Sequence, residues 1–164
     1  MRSGMADPRR SASPREKSNW RATYVFNGTP GGTDVIDFNS WASANGVNDP
    51  MADGEGDGVI NLLEYAFGGN PNVHNRSILP TGGVQSFILG GIASDYLTLT
   101  FNRALGAEDI TYTVQWSLDL VTWSAGGAFV GSNNHGDGTT AETWRAPSST
   151  SVGRYFGRVL VTKP

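Results

Sequence analysis

The chain has 164 residues, of which 38% are hydrophobic and 16% charged, with a formal net charge of −3. That length allows one domain with a real core, or a small module joined to a modest β domain. The absence of cysteine excludes disulfide scaffolds, thiolate metal sites and Cys nucleophiles. The charge forms no clustered basic face for nucleic acid, and no stretch approaches the roughly 20 apolar residues that span a bilayer.

Residues 1–19 are rich in Arg, Ser and Pro and lack apolar periodicity. They read as a flexible polar arm whose basic cluster, Arg9, Arg10, Arg15 and Lys17, is solvated. The arm has no apolar core of the kind a secretory signal needs. Residues 20–33 read as a strand and a turn. Trp20–Phe26 is a β-prone run, and Asn27-Gly28-Thr29-Pro30-Gly31-Gly32 breaks it.

Residues 34–71 read as a helix, an acidic loop and a second helix. Thr33 or Asp34 is placed to cap a helix over Val35–Asn45, in which Val35, Phe38, Trp41 and Ala42 form one apolar stripe. Gly46 suits its C-terminal stop. The second helix spans Asn61–Phe67, with Leu62, Leu63, Tyr65, Ala66 and Phe67 as its packing face, and Gly68-Gly69-Asn70-Pro71 ends it.

Residues 72–83 read as a linker, and 84–164 as a β domain. The period changes to two after the linker. Strands are expected at Val84–Leu89, Tyr96–Asn102, Ile110–Ser117, Ala128–Gly131, Thr139–Arg145 and Gly153–Thr162. Leu97, Leu99 and Phe101 share one face, as do Tyr112, Val114 and Trp116. Short strands at this spacing predict an antiparallel sandwich. The expected class is therefore α+β, mainly β: a short helix–loop–helix element packed on an antiparallel β-sandwich.

The loop between the helices carries the strongest chemical signal. A twelve-residue calcium loop of the helix–loop–helix type places oxygen ligands at positions 1, 3, 5, 7, 9 and 12, with Gly at 6. Counting from Asp53, those positions are Asp53, Glu55, Asp57, Val59 (through its backbone carbonyl), Asn61 and Glu64, with Gly58 at the sharp turn. Calcium is a hard cation that takes six to eight oxygens at about 2.3–2.6 Å. Alternate residues of a coiled loop project inward together, and four carboxylates held this close repel without a cation. Magnesium fits less well, because it prefers a smaller octahedral site and keeps its waters. The bland alternative is an acidic surface loop in which Asp57 or Asn61 caps the second helix.

This loop resembles those of dockerins and thrombospondin type 3-like repeats. It is most similar to a segment of exported proteins of Verrucomicrobia and related bacteria. There a Phe/Trp-bearing helix leads into a D-x-D-x-D-G-x-x-N-L-L-E-Y-A run. Here Phe38 and Trp41 precede Asp53 through Pro71, and Asn61-Leu62-Leu63-Glu64-Tyr65-Ala66 is present. The similarity extends through Leu97-Thr98-Leu99-Thr100-Phe101, Tyr112-Thr113-Val114, Ser117–Trp123 and Arg154–Val159, about residues 34–162. Glu55 stands where that family has Asp. The resemblance implies an extracellular, calcium-stabilised, non-catalytic module at the C-terminal end of a longer protein.

Other candidates for chemistry are weak. Asp137-Gly138, beside His135, is a hairpin signal rather than a second calcium loop. No Gly-x-Ser-x-Gly elbow is present, and Asp95, Glu108, Asp109 and Asp119 are scattered at turns. Trp116, Trp123 and Trp144 form either a sugar platform or core, and phase with Tyr112 and Val114 assigns Trp116 to the core. The expected function is that of a non-enzymatic structural or adhesive module that binds Ca2+. Its expected partners are other copies of itself, joined through the N-terminal segment into a filament or surface array, or a cell-surface protein. A carbohydrate-binding module attached to a secreted enzyme is the alternative.

Overall fold

The structure, a computed structural model, describes residues 37–164. The expected arm, the Trp20–Phe26 strand and the caps at Thr33 and Asp34 lie outside the described residues.

Among the described residues two short helices come first: α1 (Phe38–Asn45) and α2 (Asn61–Phe67). Seven strands follow: β1 (Thr81–Leu89), β2 (Ile92–Ala104), β3 (Thr111–Ser117), β4 (Ser124–Ala125), β5 (Ala128–Asn134), β6 (Thr139–Arg145) and β7 (Phe156–Thr162). They form two antiparallel sheets, one of order β1-β2-β6-β5 and one of order β4-β3-β7. The molecule is thus β-rich with a small helical part.

Asp37, rather than Thr33 or Asp34, caps α1, and its carboxylate accepts the Ser40 N–H at 2.7 Å. The second helix has the expected bounds. Neither Asp57 nor Asn61 caps it; Ile60 stands at that position and makes no side-chain bond. The helix start is closed instead by the chain entering the loop. The Asn61 and Leu62 N–H groups donate to the Ala52 and Pro50 carbonyls, each at 2.9 Å. Two of the donors that every helix N-terminus leaves open are thereby satisfied.

The linker is shorter than its composition implies. A 3-10 turn at Arg76–Ile78 interrupts it, and β1 starts at Thr81 instead of Val84. Gly82-Gly83 reads as a breaker in sequence. Pairing with Leu99 and Thr98 of β2 holds both glycines in the ladder nevertheless. β2 is longer than expected at both ends because β1 extends it at one end and β6 at the other. β3 begins at Thr111 rather than Ile110, and β5 runs on to Asn134 through a bulge between Phe129 and Gly131. β7 begins at Phe156 rather than Gly153, after a 3-10 turn at Thr150–Val152. The two-residue β4 is too short to leave a pattern in sequence. β6 matches its expected span, and β5 and β6 are joined by the hairpin anticipated at Asp137-Gly138, closed by His135 N–H to the Thr139 carbonyl at 3.1 Å.

One core joins helices and sheets. Phe38, Trp41, Tyr65 and Phe67 from the helices are buried with Leu99, Phe101, Val114 and Trp116 from β2 and β3. Phe38, Trp41 and Tyr65 form an aromatic triangle with ring centroids 5.3–5.7 Å apart. Phe67 meets Phe101 at 6.3 Å, and Phe101 stacks on Tyr112 at 6.1 Å. Such ring pairs contribute about 0.5–1.5 kcal/mol each beyond their buried area. Gly68 lets α2 approach the sheet. It has φ +76°, and a Cβ there would lie 2.5 Å from the Thr139 methyl.

Candidate metal centre

Asp53, Glu55 and Asp57 offer carboxylate oxygens that all lie within 4.8 Å of one another. The coiling that brings them together is held by Asp53 itself. Its Oδ1 accepts the Gly56 and Asp57 N–H groups at 2.8 and 3.1 Å, and its Oδ2 accepts Gly58 N–H at 2.8 Å. The chain turns at Gly58, whose φ of +87° strains any residue with a Cβ. Asp57 Oδ1 then accepts the Val59 N–H at 2.7 Å. Val59 has no exposed surface, and its side chain lies in the core.

Asn61 and Glu64 rise from the first turn of α2 and are buried, at 2% and 1% exposure. Asn61 donates its Nδ2 to the Asp49 carbonyl at 2.7 Å, which orients the amide and leaves Oδ1 as its acceptor. Among the described residues, Asn61 Oδ1, Glu64 Oε2 and both carboxylate oxygens of Glu55 are buried without a hydrogen-bond partner. An unsatisfied buried acceptor costs about 1–3 kcal/mol, more when charged. Four such oxygens in one loop form an environment that lacks only positive charge.

The titration behaviour has the same cause. Burial, then the charges of Glu55, Asp57 and Asp53, push the Glu64 carboxyl from 4.5 up to about 7. Asp57 moves the other way. Burial works to raise it, but the N–H groups of Asn75 and Val59, aided by the charges of His74 and Arg76, hold it below the usual carboxylate range. Glu55, whose extra methylene departs from the commoner Asp, is turned inward with both oxygens buried.

All the side-chain donors are oxygens, a set that suits a hard cation such as calcium, magnesium or manganese. The acidic group can hold a metal ion, and the buried acceptors of Asn61 and Glu64 fit one.

Asp57 also reaches out of the loop, through Oδ2 to Asn75 N–H at 2.7 Å. That bond ties the linker to the acidic group. Gly69 packs close beside it, where a Cβ would lie 2.6 Å from Ile78 Cδ1 and 3.2 Å from Glu64 Cα.

One residue that sequence reading passed over proves central. Asp109, in the loop between β2 and β3, accepts Phe38 N–H at 3.0 Å and the Tyr65 hydroxyl at 2.6 Å. It therefore pins both helices to the β part. Burial, followed by this bond to Asp109, raises the Tyr65 phenol above its ordinary value. The Tyr112 hydroxyl adds a second anchor, donating to the Ala66 carbonyl at 2.6 Å. Asp109 looks in sequence like any acidic turn residue, and no local signal marks it.

The remaining candidates carry no comparable group. Asp137 bonds Thr139 within the hairpin. Glu142 pairs with Arg103 at 3.3 Å. Trp116 is core, Trp144 packs edge-on against Phe129, and Trp123 lies under the Arg158 guanidinium, 4.1 Å from its ring centroid. Among the described residues no helix is long and apolar enough to cross a membrane. Comparisons of the chain with protein-family models, with curated proteins and with solved structures find no match.

Proposed function

We propose that Asp53, Glu55, Asp57, Asn61 and Glu64, with the Val59 carbonyl, hold one calcium ion, and that the ion fastens the helical element to the β part. The observation that carries this reading is the group of partnerless buried oxygens on Glu55, Asn61 and Glu64 beside Asp53 and Asp57. A cation that takes six to eight oxygens satisfies them together. Calcium is preferred to magnesium because the loop offers many protein oxygens, whereas magnesium prefers a smaller octahedral site and keeps several of its waters.

The role is structural. Helices of eight and seven residues are too short to persist alone. The ion neutralises the loop between them, and Asp57 passes the constraint to the linker through Asn75. The two sheets then act as the layers of a β-sandwich, an arrangement supported by the Phe101–Tyr112 stack between β2 and β3.

In this reading the chain is an extracellular structural or adhesive module, in line with its resemblance to exported bacterial modules. Its N-terminal segment serves self-assembly. Lys163, just past β7, reaches Asn39 at 3.4 Å, so the start of α1 lies beside the end of β7.

The test is thermal unfolding and calorimetric titration of the full chain. Millimolar calcium raises Tm over EGTA, and one ion binds per chain. Binding at 100 times Kd adds about 2.7 kcal/mol of stability. An identical melt in calcium and EGTA, with no heat of binding, overturns the reading.

A further inference from the structure

A β-sheet edge left open is a template for another strand, and proteins blunt such edges with charge, bulges or very short strands. Among the described residues four strands border their sheets: β1, β5, β4 and β7. Three of them are blunted. β4 has two residues. β5 is bulged between Phe129 and Gly131. β7 carries Arg158, which bonds Gln115 at 2.8 Å and covers Trp123.

β1 has none of these devices. Its nine residues, Thr-Gly-Gly-Val-Gln-Ser-Phe-Ile-Leu, include no charge and no proline. It pairs with β2 over nine consecutive positions without a register shift, so it is long and regular. The contrast with β2 is instructive. Where β2 runs past the end of β6, its free edge is covered by the chain that follows, through Ala146 N–H to the Leu97 carbonyl at 2.8 Å and Thr150 Oγ1 to the Asp95 carbonyl at 3.2 Å.

The β1–β2 hairpin is also apolar where it is most exposed: Val84 is 61%, Ile88 75% and Ile92 69% exposed. Alternation along the strand puts Val84 and Ile88 on one face and Leu89 on the other. Exposed apolar groups on both faces of a hairpin are a feature of surfaces that another chain covers.

We propose that β1 is a joint between two copies of this chain, paired edge to edge and antiparallel about a two-fold axis at Gln85. Two four-stranded sheets then become one continuous sheet. The strand's own composition selects a second copy as the occupant. Full overlap of Thr81–Leu89 on itself sets Phe87 opposite Gly83 and Ile88 opposite Gly82. Phe87 and Ile88 thus each meet a glycine, a pairing in which the large group covers the bare backbone, while Leu89 meets Thr81 and Val84 meets Ser86. No like charges oppose across the axis, because β1 has none. The contact is isologous and closes on itself. It stands on the sheet edge alone, apart from the cation, and adds a second joint to any assembly made through the N-terminal segment.

The chain's lack of cysteine supplies a clean test. In full-length Gln85→Cys, the two thiols meet across the axis at the Cβ spacing of directly opposed residues, about 4.5–5.5 Å, close to what a disulfide requires. Mild oxidation gives a covalent dimer. Its rate exceeds that of Ser132→Cys, on the bulged edge of β5, by about tenfold or more, because the partner thiol is held at millimolar effective concentration. Unmodified chain sediments as a dimer at micromolar concentration, and exposed Gln85→Lys sediments as a monomer with an unchanged circular dichroism spectrum. Three results overturn the proposal: a monomeric unmodified chain, as follows if its own N-terminal segment covers β1; equal cross-linking at residues 85 and 132; or a Gln85→Lys protein that still dimerises.

Discussion

Replacing Glu64 by glutamine separates a cation site from an acidic loop that is merely buried, because the two accounts differ in sign. Glu64 is 1% exposed, its Oε2 lacks a partner, and three carboxylates surround it. At pH 7.5 in EGTA most of the wild-type Glu64 population is ionised, and the cost of that buried charge falls on the folded state. Glutamine keeps the volume, removes the charge and brings an N–H donor to the Glu55 oxygens. Relief of one unsatisfied acceptor is worth about 1–3 kcal/mol. For a chain of this size each kcal/mol moves Tm by roughly 2–4 °C. The variant should therefore melt above wild type by roughly 2–12 °C without metal. In millimolar calcium the order reverses, since the amide replaces a carboxylate able to grip the ion with both oxygens. Differential scanning calorimetry at two metal concentrations reads both signs. A Glu64→Gln protein less stable than wild type by the same margin in EGTA and in calcium would refute the reasoning, for Glu64 would then be an ordinary buried hydrogen-bonding group.

Two further outcomes follow from the same geometry. The ion-free chain should lose stability as pH rises from about 4.5 through about 7: the unfolded Glu64 releases its proton near 4.5 and the folded one near 7, so its contribution is whole below the first value and gone above the second. Urea unfolding across that window tests this, and calcium should abolish the slope; a slope of the opposite sign without metal contradicts it. Asp109→Ala removes the acceptor of two bonds, to Phe38 N–H and the Tyr65 hydroxyl, and should cost about 2–4 kcal/mol. The loss should be similar with and without calcium, as urea titrations would show; a calcium affinity that collapses with the substitution would mean that Asp109 shapes the loop and does more than tether the helices.

The loop and its flanking helices were legible because their determinants are local. Alternate carboxylates, a glycine at the turn and an Asn and Glu on the first turn of α2 occupy twelve consecutive residues, and neighbours in sequence stay neighbours in space. The core strands were legible for a similar reason, since period two places Leu99 with Phe101 and Val114 with Trp116 wherever the sheets lie. The limits of β1 were not, because Gly82 and Gly83 have no strand preference and are ordered only by Leu99 and Thr98 across the ladder.

Sequence by itself determined which residues are able to gather around a cation, where the helices lie and which side chains enter the core. Tertiary structure decided what those parts are fastened to: Asp109 to two helices that precede it by some 44–71 positions, Asp57 to the linker at Asn75, and β1, among the described residues, to an edge rather than the middle of its sheet. The physical reason is one of range. A coiled loop or a strand's two faces follow from covalent geometry within a few residues. A hydrogen bond between distant segments, or the openness of an edge, depends on which strands come to lie side by side, and that is settled only when the whole core closes.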